Sequence, residues 1–200
     1  MKPDRIVTMA AGFYSALAVI ALLWGWLRDL TPLWWRYPDV TATPGGAALI
    51  GLALGLLGVG LSGLMEAKVE GVQKLGERFG MVLAGVEVKH AIALAALSSV
   101  GEELLFRGCV QAEFGLIPAT ILFALVHVGG QRFYLWWTAS AFVFGLGLGA
   151  LFDLQGGLLG PIVMHFVINA INITMLARKE AARHADSRPR PGGLEPLEGP

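Results

Sequence analysis

Gly101-Glu102-Glu103-Leu104-Leu105-Phe106-Arg107-Gly108 sets two carboxylates and a guanidinium inside a run otherwise built for lipid. Ala91 to Leu97 lie upstream and Cys109-Val110 follow. A charge near the middle of a membrane helix costs about 2.5–3.5 kcal/mol on insertion scales, so each such residue needs a partner or a chemical task. Glu103 and Arg107 are four apart, share a helical face and can pair. Glu102 is turned about 100° away at 3.6 residues per turn. With no partner on its own helix, it is expected to point at His127 and His165.

Composition agrees with a lipid setting. The chain of 200 residues, one domain's length, is 55% hydrophobic and 15% charged, against about 25% charged for a soluble domain. Mean hydropathy is +0.63. The net charge of zero supplies no basic field for nucleic acid. The single cysteine, Cys109, forms no intrachain disulfide and reads as packing.

Working outward, the hydropathy pattern predicts an all-α polytopic bundle of about six transmembrane helices. A crossing takes about 20 residues. Ile6–Leu27 is the first expected span, retained rather than cleaved, with Trp24, Trp26, Trp34, Trp35 and Tyr37 as an interfacial belt. Gly45–Met65 is the second, with Gly51, Gly55 and Gly58 suited to close helix approach. Glu66–Lys89 carries charges, with Val69, Val72, Leu75 and Phe79 at helical steps, and reads as an amphipathic surface helix. His90 then reads as interfacial. The third span runs from His90 to Val110 and the fourth from Leu116 to Val128. The fifth, Phe133–Phe152, has Gly145, Gly147 and Gly149 as close-packing positions. The sixth is Leu158–Leu176, with Pro161 in its first turn. Residues 1–176 thus form the membrane domain, and 177–200 read as a polar, disordered cytoplasmic tail.

Orientation follows from the basic residues. Six spans put both termini on one side. Twelve of the 15 lysines and arginines then share that side, against Arg28 and Arg36 on the other and Arg107 within a span. Both termini are therefore expected in the cytoplasm, in a multi-pass cell-membrane protein.

At 1.5 Å per residue, Glu102 lies about 18 Å inside the third span and His127 about 16 Å from the outer end of the fourth. His165 lies roughly 10–14 Å inside the sixth, so all three fall in one layer. A carboxylate and an imidazole sharing a water can deprotonate it for attack on a carbonyl. His165 and Asn169, four apart, can donate to a developing oxyanion. Phe123, four before His127, can wall the site. No cofactor is expected. Zinc, with Glu102, His127 and His165 as ligands, is the alternative, although these ligands come singly from distant helices.

Glu102-Glu103-x-x-x-Arg107, Phe123-x-x-x-His127 and His165-x-x-x-Asn169 together resemble the three-motif signature of the CAAX-protease and bacteriocin-processing (CPBP, or ABI) family of intramembrane endopeptidases. The motifs cover residues 102–169. The resemblance implies a multi-helix membrane protease in which Glu102 and His127 activate water, His165 and Asn169 stabilise the oxyanion, and Glu103 and Arg107 support the site. It also implies a substrate that is a membrane-associated protein or peptide. The Ala/Gly/Leu/Arg-rich composition points to a bacterial inner membrane. A different class stays open: a non-proteolytic membrane protein, such as a bacteriocin immunity factor that works by binding, keeping the motif as a polar core. A transporter is disfavoured by the absence of internal repeats and paired broken helices.

Overall fold

The computed structural model describes residues 3–30 and 43–186, all of it helical or connecting. The helices in chain order are α1 (Pro3–Leu27), α2 (Pro44–Lys68), α3 (Glu70–Val82) and α4 (Val88–Glu103). A π-helical segment, π1 (Leu104–Gln111), continues α4 without a break into the single turn α5 (Ala112–Phe114). Then come α6 (Leu116–Leu125), α7 (Tyr134–Gln155) and α8 (Leu159–Asp186). Among the described residues, α1, α2, α7 and α8 are long and apolar enough to cross a membrane. The expected third span corresponds to α4 running into π1. The expected fourth is shorter than read: α6 has 10 residues and stops before His127. Lys2, Trp34, Trp35, Arg36, Tyr37, Arg188 and Arg190 lie outside the described residues.

Local signals explain the helix ends. Thr43 caps α2, its hydroxyl accepting from the Gly46 amide at 3.1 Å, and Pro44 occupies the first helical position. At the start of α4, the Glu87 amide donates to His90 Nδ1 at 3.2 Å, and His90 Nε2–H donates to Asp4 Oδ1 at 3.1 Å. His90, read as interfacial, is a buried cap that ties α4 to the first turn of α1. Gly115, at φ +88°, turns the chain sharply from α5 into α6.

Glycine sets the closest helix contacts. α2 lies along α8 with Gly51, Gly55 and Gly58 on the seam. A Cβ at Gly55 would stand 2.8 Å from Val167 Cβ, and one at Gly58 would stand 2.9 Å from Ile168 Cδ1. Lipid gives apolar side chains little reason to leave it for one another, so backbone approach and dispersion hold such a seam. α3 is amphipathic, as read. Leu75 and Gly80 are buried, and Phe79 packs edge-on against Trp137 at 5.1 Å and Tyr134 at 6.2 Å.

The last helix corrects the sequence reading. The tail expected to be disordered from residue 177 is helical as far as Asp186. Glu180 is buried where Gly80 of α3 leaves room for it, and Ala177 is buried against Val86 and Ala91. Lys179 to Glu66 at 2.6 Å and Arg183 to Glu77 at 3.1 Å clamp the exposed edges. Residues 187–200 lie outside the described part.

Candidate active site

The charged stretch straddles the junction of α4 and π1. Glu103 closes α4, and Arg107 stands on π1. Their pairing survives the change of helix type: Arg107 Nη1 donates to Glu103 Oε1 at 3.0 Å, with the two side chains 1% and 0% exposed. Arg107 Nη2 donates to the Gly145 carbonyl of α7 at 3.0 Å. One turn on, Gln111 Nε2 donates to the Gly149 carbonyl at 2.8 Å. The wider π turn therefore lays two side chains onto one face of α7. Glycine there permits it: a Cβ at Gly145 would sit 3.2 Å from the Phe123 ring, and one at Gly149 would strike Gln111 and Leu116.

The Glu103 carboxylate also reaches α8. Its Oε1 accepts from His165 Nδ1–H at 2.8 Å. Glu103 thus accepts from two cationic or polar donors on two elements, a role wider than the sequence suggested. Phe123 on α6 fills the space between them. The Arg107 guanidinium lies 4.5 Å from its ring centre, a cation–π arrangement. Its ring stands 4.6 Å from that of His127 and 6.2 Å from that of His165.

His127 is placed by a helix end. α6 finishes at Leu125, and the His127 amide turns back to the Ala124 carbonyl at 3.0 Å. The Phe123 carbonyl is left without its usual i+4 amide. His127 Nδ1–H donates to that carbonyl at 2.6 Å. A carbonyl only accepts, so Nδ1 carries the proton and the neutral ring presents a bare Nε2. Trp137 backs the ring edge-on at 5.0 Å, and the Thr138 hydroxyl donates to the His127 carbonyl at 3.0 Å.

Both imidazoles converge on Glu102. Its Oε2 stands 3.9 Å from His127 Nε2 and 3.9 Å from His165 Nε2. Glu102 is 8% exposed, and its Oε2 finds no donor among the described residues. The sequence reading that turned Glu102 away from Arg107 and toward these rings matches the geometry. Asn169 is one turn beyond His165 on α8. Its Nδ2 donates to Ser98 Oγ at 2.9 Å, and Ser98 stands one turn before Glu102 on α4. Nothing in the sequence pattern marked Ser98 or Gln111. Both act through single hydrogen bonds that spacing alone does not reveal. Cys109 is buried against α1, its thiol donating to the Ala21 carbonyl at 3.2 Å, as packing would have it.

Metal binding can be judged on donor geometry. Zinc bonded at about 2.0–2.1 Å holds tetrahedral donors roughly 3.3–3.4 Å apart. The 3.9 Å separations from Glu102 are wider, and among the described residues no group of three His, Cys, Asp or Glu meets ligand geometry. A water is a better match. With ordinary hydrogen bonds of about 2.8 Å, it bridges atoms 3.9 Å apart at an angle of about 90°.

An all-α, multi-pass membrane protein with a buried glutamate facing two histidines is the class that fold and site define. Residues 85–171 match the family of Rce1-like type II CAAX prenyl endopeptidases, the range in which the three motifs lie. The chain is also similar to the uncharacterized protein YpbD of Bacillus subtilis, at 31% identity over 109 residues, covering 50% of this chain and 56% of that protein. The match therefore spans little more than half the length of that relative. No solved structure matches the chain.

Proposed function

We propose that the protein is an intramembrane endopeptidase that hydrolyses a peptide bond of a membrane-associated protein or peptide. The observation that carries this reading is the orphaned Glu102 Oε2, buried and facing two imidazole Nε2 atoms at 3.9 Å each. A buried carboxylate oxygen without a donor is costly. Aimed between two rings, it is suited to take a proton from a water held there.

The steps follow from the tautomers. Glu102 Oε2 and the bare Nε2 of His127 are both acceptors, so a water between them donates both O–H bonds and turns a lone pair to the substrate carbonyl. Attack forms the C–O bond as the proton passes to Glu102 or His127. The same groups return it to the leaving amine when the C–N bond breaks. His165 has its Nδ1–H held by Glu103, so it can donate to an oxyanion only as the imidazolium, from Nε2–H. The Asn169 amide carries two N–H groups, and Ser98 takes one of them. The other completes the oxyanion pair. Phe123 and Trp137 keep the apolar wall on which the base depends.

A second reading uses the same atoms. In both His127 and His165 an acceptor holds Nδ1–H, so that the neutral ring would offer Nε2 as a ligand, which is how metal-binding histidines are oriented. Glu102, His127 and His165 would then hold zinc after closing by about half an ångström each.

The chain would cross the membrane six times, with α4–π1 and α6 as the two crossings beyond those of α1, α2, α7 and α8. Both termini would be cytoplasmic, because the basic residues gather on their side. Reporter fusions after Pro200 and beside Arg36 are expected to report opposite compartments. Equal signals would rule out an even number of crossings with this orientation. The activity is tested by profiling new protein termini in membranes of the native host with and without the gene. Cleaved membrane proteins should appear only when the gene is present, and identical profiles would contradict the reading.

A further inference from the structure

Tyr14 stands on α1, far in sequence from the residues that match the family, and packs through its Cβ and ring against Gly101, the residue before Glu102, which brings the phenol within electrostatic reach of the Glu102 carboxylate. We propose that Tyr14 is a positioning residue of the active site: its hydroxyl holds one oxygen of Glu102, so that Oε2 stays turned toward His127 and His165. The inference rests on the peptidase reading and extends it to a helix that carries no motif.

Three features converge on this residue. α1 faces lipid along most of its length, with only Ala21 and Gly25 buried among its described residues. Tyr14 nevertheless turns inward, where a phenol in apolar surroundings needs a polar partner. Next, Gly101, the residue before Glu102, is where α1 touches α4 most closely. A Cβ there would lie 3.0 Å from the Tyr14 carbonyl and 3.2 Å from Tyr14 Cβ. That glycine lets the phenol approach the carboxylate on the following residue. Finally, α1 is tied to the α4–π1–α5 run on both sides of Tyr14. Asp4 holds His90 at 3.1 Å. Toward the other end, the Ala21 carbonyl accepts from Cys109 at 3.2 Å, and Trp24 Nε1 donates to Glu113 at 2.6 Å. The phenol is therefore fixed in depth as well as direction. A carboxylate held at one oxygen keeps the other aimed, which is the preorganisation a general base needs.

The test uses the full chain reconstituted in lipid, with a membrane-protein substrate found by terminus profiling. Tyr14→Phe keeps the ring against Gly101 and removes only the hydroxyl. Turnover should fall about 10- to 100-fold, the loss expected for one hydrogen bond to a charged group. KM and the melting midpoint should not change. Gly101→Ala keeps the hydroxyl but pushes α1 away, and should lower turnover in the same direction. A readout independent of activity is the 13Cζ resonance of Tyr14 in tyrosine-labelled protein, assigned among the three tyrosines by its loss in Tyr14→Phe. Glu102→Gln should move that resonance and leave those of Tyr37 and Tyr134 in place. A Tyr14 resonance indifferent to Glu102→Gln overturns the proposal, as does wild-type turnover in Tyr14→Phe. Wild-type protein that cleaves nothing would sink the peptidase reading, and the resonance would then decide the Tyr14–Glu102 bond alone.

Discussion

Glu102→Gln abolishes cleavage and leaves the protein folded: that is the expected result with the largest effect on activity. The amide has the carboxylate's shape, so Tyr14, Gly101 and the two imidazoles keep their packing. What is lost is the proton acceptor. General bases contribute about 10²–10⁴ in rate, and His127→Asn should cost a similar factor. Because Glu102 and His127 share one water in this account, the double variant should be little slower than either single one. Folding should not suffer. Oε2 has no donor among the described residues, so removing its charge breaks no hydrogen bond there and relieves a desolvation cost. Turnover measured beside the melting midpoint in detergent separates the two effects. A Glu102→Gln protein that fails to fold would mean that this carboxylate holds the bundle together and that the assignment of roles is reversed.

The largest effect on stability is expected one residue later. Glu103→Gln would strand the Arg107 guanidinium, 1% exposed and held between the Gly145 carbonyl of α7 and the Phe123 ring. Arg107→Met would leave the buried Glu103 carboxylate with the His165 Nδ1–H in place of a full counter-charge. Breaking a buried pair from one side costs about 3–5 kcal/mol. Each single variant should therefore melt far below wild type or fail to accumulate. The double variant Glu103→Gln/Arg107→Met leaves no lone charge and should recover part of the loss. It should not recover activity, because His165 would no longer have a carboxylate at Nδ1. Wild-type melting in either single variant would show that the pair does not carry the junction.

The apolar runs and the three motifs were legible because each rests on a simple regularity. Hydropathy marks lipid-facing length. Four-residue spacing marks a shared face, so Glu103 with Arg107 and His165 with Asn169 could be read directly. Glu102 was turned toward the histidines by the angle between neighbouring residues. What escaped the sequence reading depends on contacts of high sequence separation or on departures from regular helix. No residue pattern announced that Leu104–Gln111 would widen into a π-helix. Its consequence, Gln111 laid on α7 beside Arg107, was therefore hidden too. His127 was placed inside a helix, but it stands just past the end of one and uses a carbonyl that a longer helix would have consumed. Nothing in the sequence reading singled out Tyr14, because its contact with Gly101 joins positions 87 residues apart. The tail beyond residue 176 read as polar and unstructured because its cover, Val86 and Ala91 against Ala177 and Gly80 against Glu180, is distant in sequence.

The central claim is that water held among Glu102, His127 and His165 is activated by the carboxylate and the imidazole themselves. Elemental analysis of purified protein, run beside a cleavage assay after exhaustive chelation, tests it most directly. The account predicts substoichiometric zinc and cleavage that survives chelation. One zinc per chain, with activity lost on its removal, restored on its return, and metal absent from a His127/His165 double variant, would contradict the account and make these three residues ligands.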